Sequence, residues 1–123
     1  DVLQERNTPF ADGAVFVGQD VPIRLAAGAS STAKVRVKTA GTTGWTQAGL
    51  YRLGSQAPQD NGRWGGRILL GSSETIPPGG VKEFSFPITA PSAPGTYAFR
   101  WRMVREGVAW FGDLTPLVYV EVI

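Results

Sequence analysis

The sequence predicts an all-β fold, an antiparallel β-sandwich of the immunoglobulin-like type. Short apolar runs are separated by turn residues at intervals of roughly 8–12 positions, which is typical of such sandwiches. The chain contains 16 glycines and 9 prolines spread along its length, and this composition favours turns between strands over helices. No segment keeps the 3.6-residue apolar period of an amphipathic helix.

The first strand candidates lie at 14–17 and 20–25, and Pro22 restricts the second to a sheet edge because it lacks an N–H. The third candidate, 31–38, alternates cleanly between small apolar residues and lysine or arginine. Such alternation indicates a strand with one face in the core and one in water.

Five further strand candidates lie at 49–53, 67–70, 81–89, 96–104 and 116–123, and a hairpin is expected to close at 110–113. The strongest is 96–104, in which Tyr97, Phe99, Trp101 and Met103 share one face. This alternation predicts a core position for Trp101.

The length of 123 residues suits one domain, which is large enough to hold a core of its own. We predict a linker or N-terminal arm at 1–12, which is polar and contains Pro9, and a single sandwich at 13–123. The start at Asp1, without a signal peptide, indicates an excised or processed module.

The composition argues against several classes of function. The chain has no cysteine and no histidine, so disulfides, Cys-based metal sites and the commonest general base are excluded. The ten carboxylates fall in no recognisable catalytic motif, and we expect no enzyme activity. A net charge of +2 gives little support to nucleic-acid binding, and no apolar stretch has the ~20 residues that cross a membrane. We expect no cofactor, and no ligand spacing supports a structural calcium ion.

The loop 56–66, QAPQDNGRWGG, carries Trp64 among glycines and polar residues. Loops are normally polar because they lie in water, whereas tryptophan has a large apolar surface to bury. The ring therefore either folds back onto the sheet as a lid or is held out for a ligand. The sequence favours the second interpretation, because the neighbouring glycines have no side chains to cover the ring.

An exposed indole among amide, carboxylate and guanidinium groups suits a carbohydrate. The apolar face of a pyranose can stack on the indole, while the polar groups bond to its hydroxyls. We predict Trp64 as the main stacking ring, with Trp110 and Tyr51 as partners. Trp45 is a further available ring, although its place at the start of a strand favours the core. The predicted hydroxyl contacts are Gln59, Asp60, Asn61 and Arg67. The alternative is a protein partner that contacts the same aromatics as hot spots.

Three stretches carry a resemblance to a known family: TAGTTGWT at 39–46, the run from IPPGG to FRWRMV at 76–104, and WFGDL at 110–114. With tryptophans at 45, 64, 101 and 110, the chain resembles the four-tryptophan immunoglobulin-like domains from about residue 13 to its end. One departure is Ala40, where the family often has asparagine.

The resemblance implies a β-sandwich without catalytic activity. Eukaryotic members of that family resemble protein-binding modules, whereas bacterial members are often attached to secreted enzymes such as glycoside hydrolases. We therefore expect a secreted carbohydrate-binding module that holds β-glucan-type chains, such as cellulose, near a tethered catalytic domain. A protein–protein interaction module stays open as the alternative, because fold-level analogy does not choose between ligand classes.

Overall fold

The structure, a computed structural model, describes residues 11–123, so all but two residues of the predicted arm 1–12 lie outside the described part. Within that part the chain forms twelve strands and no helix, which confirms the all-β prediction. The strands are β1 (Ala14–Asp20), β2 (Arg24–Leu25), β3 (Ser30–Thr39), β4 (Trp45–Thr46), β5 (Tyr51–Ser55), β6 (Ile68–Leu69), β7 (Thr75–Ile76), β8 (Val81–Thr89), β9 (Gly95–Phe99), β10 (Trp101–Arg105), β11 (Ala109–Phe111) and β12 (Val118–Val122).

The strands form two main layers. The first layer has the order β1-β3-β8. The second contains the groups β11-β10-β5-β6 and β2-β12-β9, which continue into one another because only Arg100 separates β9 from β10 along the chain. β4 and β7 form a separate two-stranded ladder, and the short β2 runs parallel to β12 while the other pairs are antiparallel. This is the architecture of an immunoglobulin-like β-sandwich.

The first layer supplies one wall of the core through strict alternation. Its inward side chains are fully buried: Ala33, Val35 and Val37 of β3, and Phe84, Phe86 and Ile88 of β8. In the register Val35 lies opposite Phe84, so branched and aromatic side chains meet across the strand pair. Burying each of the larger side chains contributes about 1.5–3 kcal/mol.

The second layer supplies the opposite wall. Phe99, Trp101 and Met103 are at most 1% exposed, and this confirms the core position predicted for Trp101. The rings of Trp101 and Phe86 meet edge to face with centroids 5.1 Å apart, so the two walls are in direct contact.

A tyrosine fixes the corner before β9. The hydroxyl of Tyr97 donates a hydrogen bond to the carbonyl oxygen of Ala93, 2.6 Å away and four residues upstream. A tyrosine bonded in this way at the start of this strand is a hallmark of immunoglobulin-like sandwiches.

The segment 112–117 closes one edge of the sandwich between the layers. Asp113 donates its backbone N–H to the carbonyl oxygen of Ala14 on β1, at 2.9 Å. The buried Thr115 pairs with Trp101 on β10: its N–H bonds to the Trp101 carbonyl, and its hydroxyl accepts from the Trp101 N–H, both at 2.9 Å. The segment therefore ties the first layer to the second.

β8 forms the opposite edge of the first layer. Two backbone hydrogen bonds flank the β3–β8 pair: the N–H of Ala90 donates to the carbonyl oxygen of Ala29, and the N–H of Thr39 donates to that of Gly80. In the register of this pair, the even-numbered residues of β8 therefore direct their N–H and C=O groups towards β3. The odd-numbered residues therefore direct theirs at the open edge, and Pro87 is one of them. A proline here removes an N–H that a second chain would otherwise pair with.

Candidate functional site

Trp64 is a lid on the core. Its side chain is only 3% exposed, and its indole Nε1 donates a hydrogen bond to the carbonyl oxygen of Ala98, at 2.8 Å. Its ring meets Phe99 edge to face, with centroids 6.1 Å apart. The prediction of an exposed main stacking ring is therefore wrong. The physical reason is that the ring covers apolar surface beside β9 and also satisfies one of its backbone acceptors.

The polar residues of the same loop mostly hold its shape. Asn61 donates to the carbonyl oxygens of Gln56 and Pro58 at 3.0 and 2.8 Å, and its Oδ1 accepts from the N–H of Arg63 at 2.8 Å. The side-chain amide of Asn61, which was predicted to contact sugar hydroxyls, is therefore engaged in hydrogen bonds within the loop. Gln59 is exposed, but it lies on a loop whose tryptophan points inward.

Trp45 and Tyr51 are also buried, at 0% and 1% exposure, so neither ring is available to stack on a ligand. The two rings stack on each other with centroids 6.5 Å apart. The Tyr51 hydroxyl donates to Oδ1 of Asp12 at 2.5 Å. Burial, together with this bond, raises the pKa of Tyr51 to about 12. Both predicted ligand residues are thus parts of the core.

Trp110 is the predicted ring that lies on the outer surface. On β11 it stands opposite Val104 of β10, which in turn lies opposite Arg52 of β5. Its indole crosses β10 and reaches Gly54 of β5, where an added Cβ would lie 2.7 Å from Cζ3 of the ring. Glycine at this position therefore lets the indole lie against the strand, and the ring is half-buried there.

A charged network lies over the face of this indole. The guanidinium carbon of Arg67 lies 4.7 Å from the Trp110 ring centroid. Arg67 also donates from Nη1 to Asp60 and from Nε to Glu106, while Nη1 of Arg52 lies 3.8 Å from Glu106 Oε1. The hydrogen bond from Arg67 lowers the pKa of Asp60 below its usual value.

We call this surface the Trp110 face. It consists of Trp110, Gly54, Arg52, Arg67, Asp60 and Glu106, with Arg100 and Arg102 beside them on the outer side of the second layer. The structure thus brings together Trp110, Asp60 and Arg67 of the predicted site residues. Asn61 is adjacent to Asp60, but its amide is engaged within the loop, and the other three predicted rings are buried.

Sequence reasoning missed several members of this face. Alternation offered a signal for Arg52 and Arg102, because each follows a buried aromatic on its strand. Glu106 gave no such signal, since it follows β10 at the turn into β11 and meets Arg67 only in the folded chain.

The chemistry of the Trp110 face is that of polar recognition. Its carboxylates accept hydrogen bonds and its guanidinium groups donate them, so together they can match a rim of hydroxyls. Across residues 11–123, no cluster of three or more acidic side chains is arranged to hold a metal ion. No helix in the same part of the chain is long and apolar enough to span a membrane.

Comparison with known proteins identifies the fold. No protein-family model matches the chain, and no curated protein matches it. Among solved structures, the chain is similar to the CARDB domain of a Pyrococcus furiosus protein, determined in solution by NMR. The TM-score is 0.59 at 14% identity, over 94% of this chain and 98% of that domain. At this identity the likeness shows the β-sandwich fold.

Proposed function

We propose that this domain is a non-catalytic carbohydrate-binding module of a larger secreted polysaccharide-degrading enzyme. The observation that carries the proposal is the indole of Trp110, which lies against β5 at Gly54 on the outer side of the sheet and is ringed by hydrogen-bonding groups. Among the predicted stacking rings, it is the one that is only half-buried. The ligand that we test first is a β-glucan-type chain.

Arg67 must move for a sugar to stack on the indole. An exposed cation–π contact contributes about 0.5–1 kcal/mol, and an ion pair at the surface contributes about 0–1 kcal/mol. Displacing Arg67 from the ring and from its two ion pairs therefore costs about 0.5–3 kcal/mol, which a stacked pyranose and its hydroxyl contacts can offset. Asp60 and Glu106 would then accept from sugar hydroxyls in place of the guanidinium. We expect weak affinity at each site, which suits a module that works by raising local concentration.

Isothermal titration with soluble β-glucans, xyloglucan and cello-oligosaccharides tests the proposal. We expect saturable heat with wild type and its loss in Trp110→Ala. The matched control is Tyr119→Ala, which removes an aromatic ring that is 61% exposed on β12, outside the Trp110 face. Arg67→Ala should bind more tightly than wild type because the ring is already uncovered. A folded Trp110→Ala protein that binds as well as wild type contradicts the assignment of the site.

A protein partner is the second candidate, and a specific observation favours it. The side chains of Ile23 and Tyr119 are 70% and 61% exposed, and they lie beside or on the adjoining strands β2 and β12. Exposed apolar and aromatic side chains are the usual anchors of protein interfaces. If the glycan panel gives no heat, sedimentation of wild type and Tyr119→Ser tests whether a second copy of the chain is that partner. Concentration-dependent association that Tyr119→Ser weakens supports this candidate.

A further inference from the structure

Two arginines beside Trp110 share the outer side of the second layer. Trp101 and Met103 point into the core, so the alternating Arg100 and Arg102 point outward. Two residues of extended strand place their Cα atoms about 7 Å apart. Arg102 lies directly opposite Gly54, the residue against which the Trp110 indole packs.

Each of these guanidinium groups is anchored by one nitrogen. Nε of Arg100 donates to the carbonyl oxygen of Thr115 at 2.8 Å, and Nε of Arg102 donates to that of Gly112 at 2.9 Å. Both acceptors belong to the segment 112–117 that closes the sandwich. Each anchor restricts the motion of its guanidinium group and leaves the terminal nitrogens as donors. A fixed guanidinium loses less conformational entropy when it binds a ligand.

Neither group has an anionic partner within the part of the chain that the structure describes. Ion pairs with N···O distances up to 4.0 Å are formed there by five other arginines, but not by Arg100 or Arg102; the five are Arg24, Arg36, Arg52, Arg67 and Arg105. Both side chains are half-buried, and a partly desolvated cation without a counter-charge favours an anion that supplies one.

The charges of the Trp110 face point the same way. The face contains four arginines and only two carboxylates, those of Asp60 and Glu106. Arg52 and Arg67 pair with these carboxylates, so the excess of two positive charges is located at Arg100 and Arg102. Planar guanidinium groups bind carboxylate or sulfate oxygens through two parallel hydrogen bonds.

We propose that the glycan bound at the Trp110 face is acidic and that Arg100 and Arg102 bind its carboxylate or sulfate groups. This inference rests on the proposed function, since it names the class of glycan for the same site. Two anchored cations two residues apart on the chain suit a polymer that repeats its anionic group. The neighbouring carboxylates favour a polysaccharide over a nucleic acid, because they accept from sugar hydroxyls, which a polysaccharide offers in larger number.

The experiment compares matched neutral and acidic polymers by isothermal titration. Hydroxyethyl cellulose and carboxymethyl cellulose form the carboxylate pair, and dextran and dextran sulfate form the sulfate pair. We expect wild type to bind at least one acidic polymer about tenfold more tightly than its neutral partner, since charge-assisted hydrogen bonds are stronger than neutral ones. Added salt should weaken the acidic interaction and leave the neutral one nearly unchanged.

The double variant Arg100→Gln/Arg102→Gln should lose this preference, because its binding to the acidic polymer falls much more than its binding to the neutral one. Its matched control is Lys34→Gln/Lys38→Gln, which removes the same charge from exposed positions of β3 in the other layer. The control should keep the preference. If the double glutamine variant fails to fold, the single variants Arg100→Lys and Arg102→Lys replace it. They keep the charge but lose the two parallel bonds, so each should weaken acidic binding several-fold and weaken neutral binding less.

The possible failures are distinguishable. Equal affinity for neutral and acidic polymers overturns this inference and leaves the proposed function standing. Equal losses in the arginine and lysine double variants overturn the inference as well, because they indicate general charge attraction. The same holds if polyglutamate or a short oligonucleotide binds as tightly as the acidic glycan. An absence of heat with every glycan overturns the inference and the proposed function together.

Discussion

The indole nitrogen of Trp64 donates a hydrogen bond to the carbonyl oxygen of Ala98, at 2.8 Å. On its other edge β9 is paired with β12, where Ala98 lies opposite Tyr119. A loop side chain therefore satisfies a backbone acceptor at the strand edge that β12 leaves open. The same ring completes the core beside Phe99. The loop 56–66, which the sequence predicts to bind a ligand, therefore has a structural role.

Replacing Trp64 should destabilise the domain strongly. Trp64→Ala removes a large buried side chain and should lower the free energy of unfolding by about 3–5 kcal/mol. Trp64→Phe keeps most of the apolar contact but leaves the Ala98 carbonyl without its donor, so a smaller loss of about 1–3 kcal/mol is expected. Chemical denaturation followed by circular dichroism measures both values. An unchanged stability in Trp64→Ala contradicts the role of a lid.

Gly54→Ala should displace the indole of Trp110. The added Cβ would overlap the far edge of the ring, and such overpacking costs about 1–3 kcal/mol. A double-mutant cycle measured by chemical denaturation separates the causes. In a Trp110→Ala background the same Gly54→Ala substitution should cost much less, because the clashing ring is gone. Equal costs in the two backgrounds would falsify the packing of this ring on β5.

The buried Tyr51 should make the domain sensitive to alkali. Its pKa is about 12 in the folded chain, against about 10 in an unfolded one. The folded state therefore holds the proton more tightly, so the stability from this group is complete below pH ~10 and is lost as the pH rises towards 12. Thermal unfolding measured across this range should show a fall in wild type.

Tyr51→Phe provides the control for that measurement. The variant cannot titrate at this position, so its fall in stability between pH ~10 and 12 should be smaller than that of wild type. Near neutral pH it should be less stable by about 0.5–1.5 kcal/mol, since the hydrogen bond to Asp12 is lost. Parallel alkaline profiles for the two proteins would show that Tyr51 is not the responsible group.

Pro87 should protect the open edge of β8. Pro87→Thr restores an N–H that points away from β3 and introduces a residue with high β propensity. We expect increased self-association in sedimentation experiments at high protein concentration. Ser85→Thr is the matched control, because it adds the same side chain on the same strand without adding a donor. If both variants stay as monomeric as wild type, the proline has no protective role.

Much of the fold follows from local pattern. Strict alternation in β3 and β8 predicts which side chains are buried, because a strand with one wet face exposes every second residue. The boundaries predicted for 81–89 coincide with β8. The breaks of the longer apolar runs were not predictable, such as that between β9 and β10 at Arg100. Such a break depends on which strand each half of the run pairs with: β9 pairs with β12, whereas β10 pairs with β5.

The candidate site was far less predictable for a physical reason. Whether Trp64 is exposed depends on a carbonyl group 34 residues away, and no local pattern reports that contact. The network of Arg67 with Glu106 joins residues 39 apart in the same way. By contrast, alternation requires only that one of the neighbours Trp110 and Phe111 points inward, and the structure has Phe111 in the core and Trp110 at the surface.

The anchored loop limits how this domain can evolve new specificity. Immunoglobulin variable domains diversify their loops freely, because those loops lie on the surface and tolerate insertion. Here a change in the length or shape of 56–66 would withdraw Trp64 from the interior and risk unfolding the chain. Recognition can change at lower cost through single exchanges at exposed strand positions such as Leu69 and Tyr119. Relatives that bind different ligands should therefore vary on the sheet surface and keep this loop.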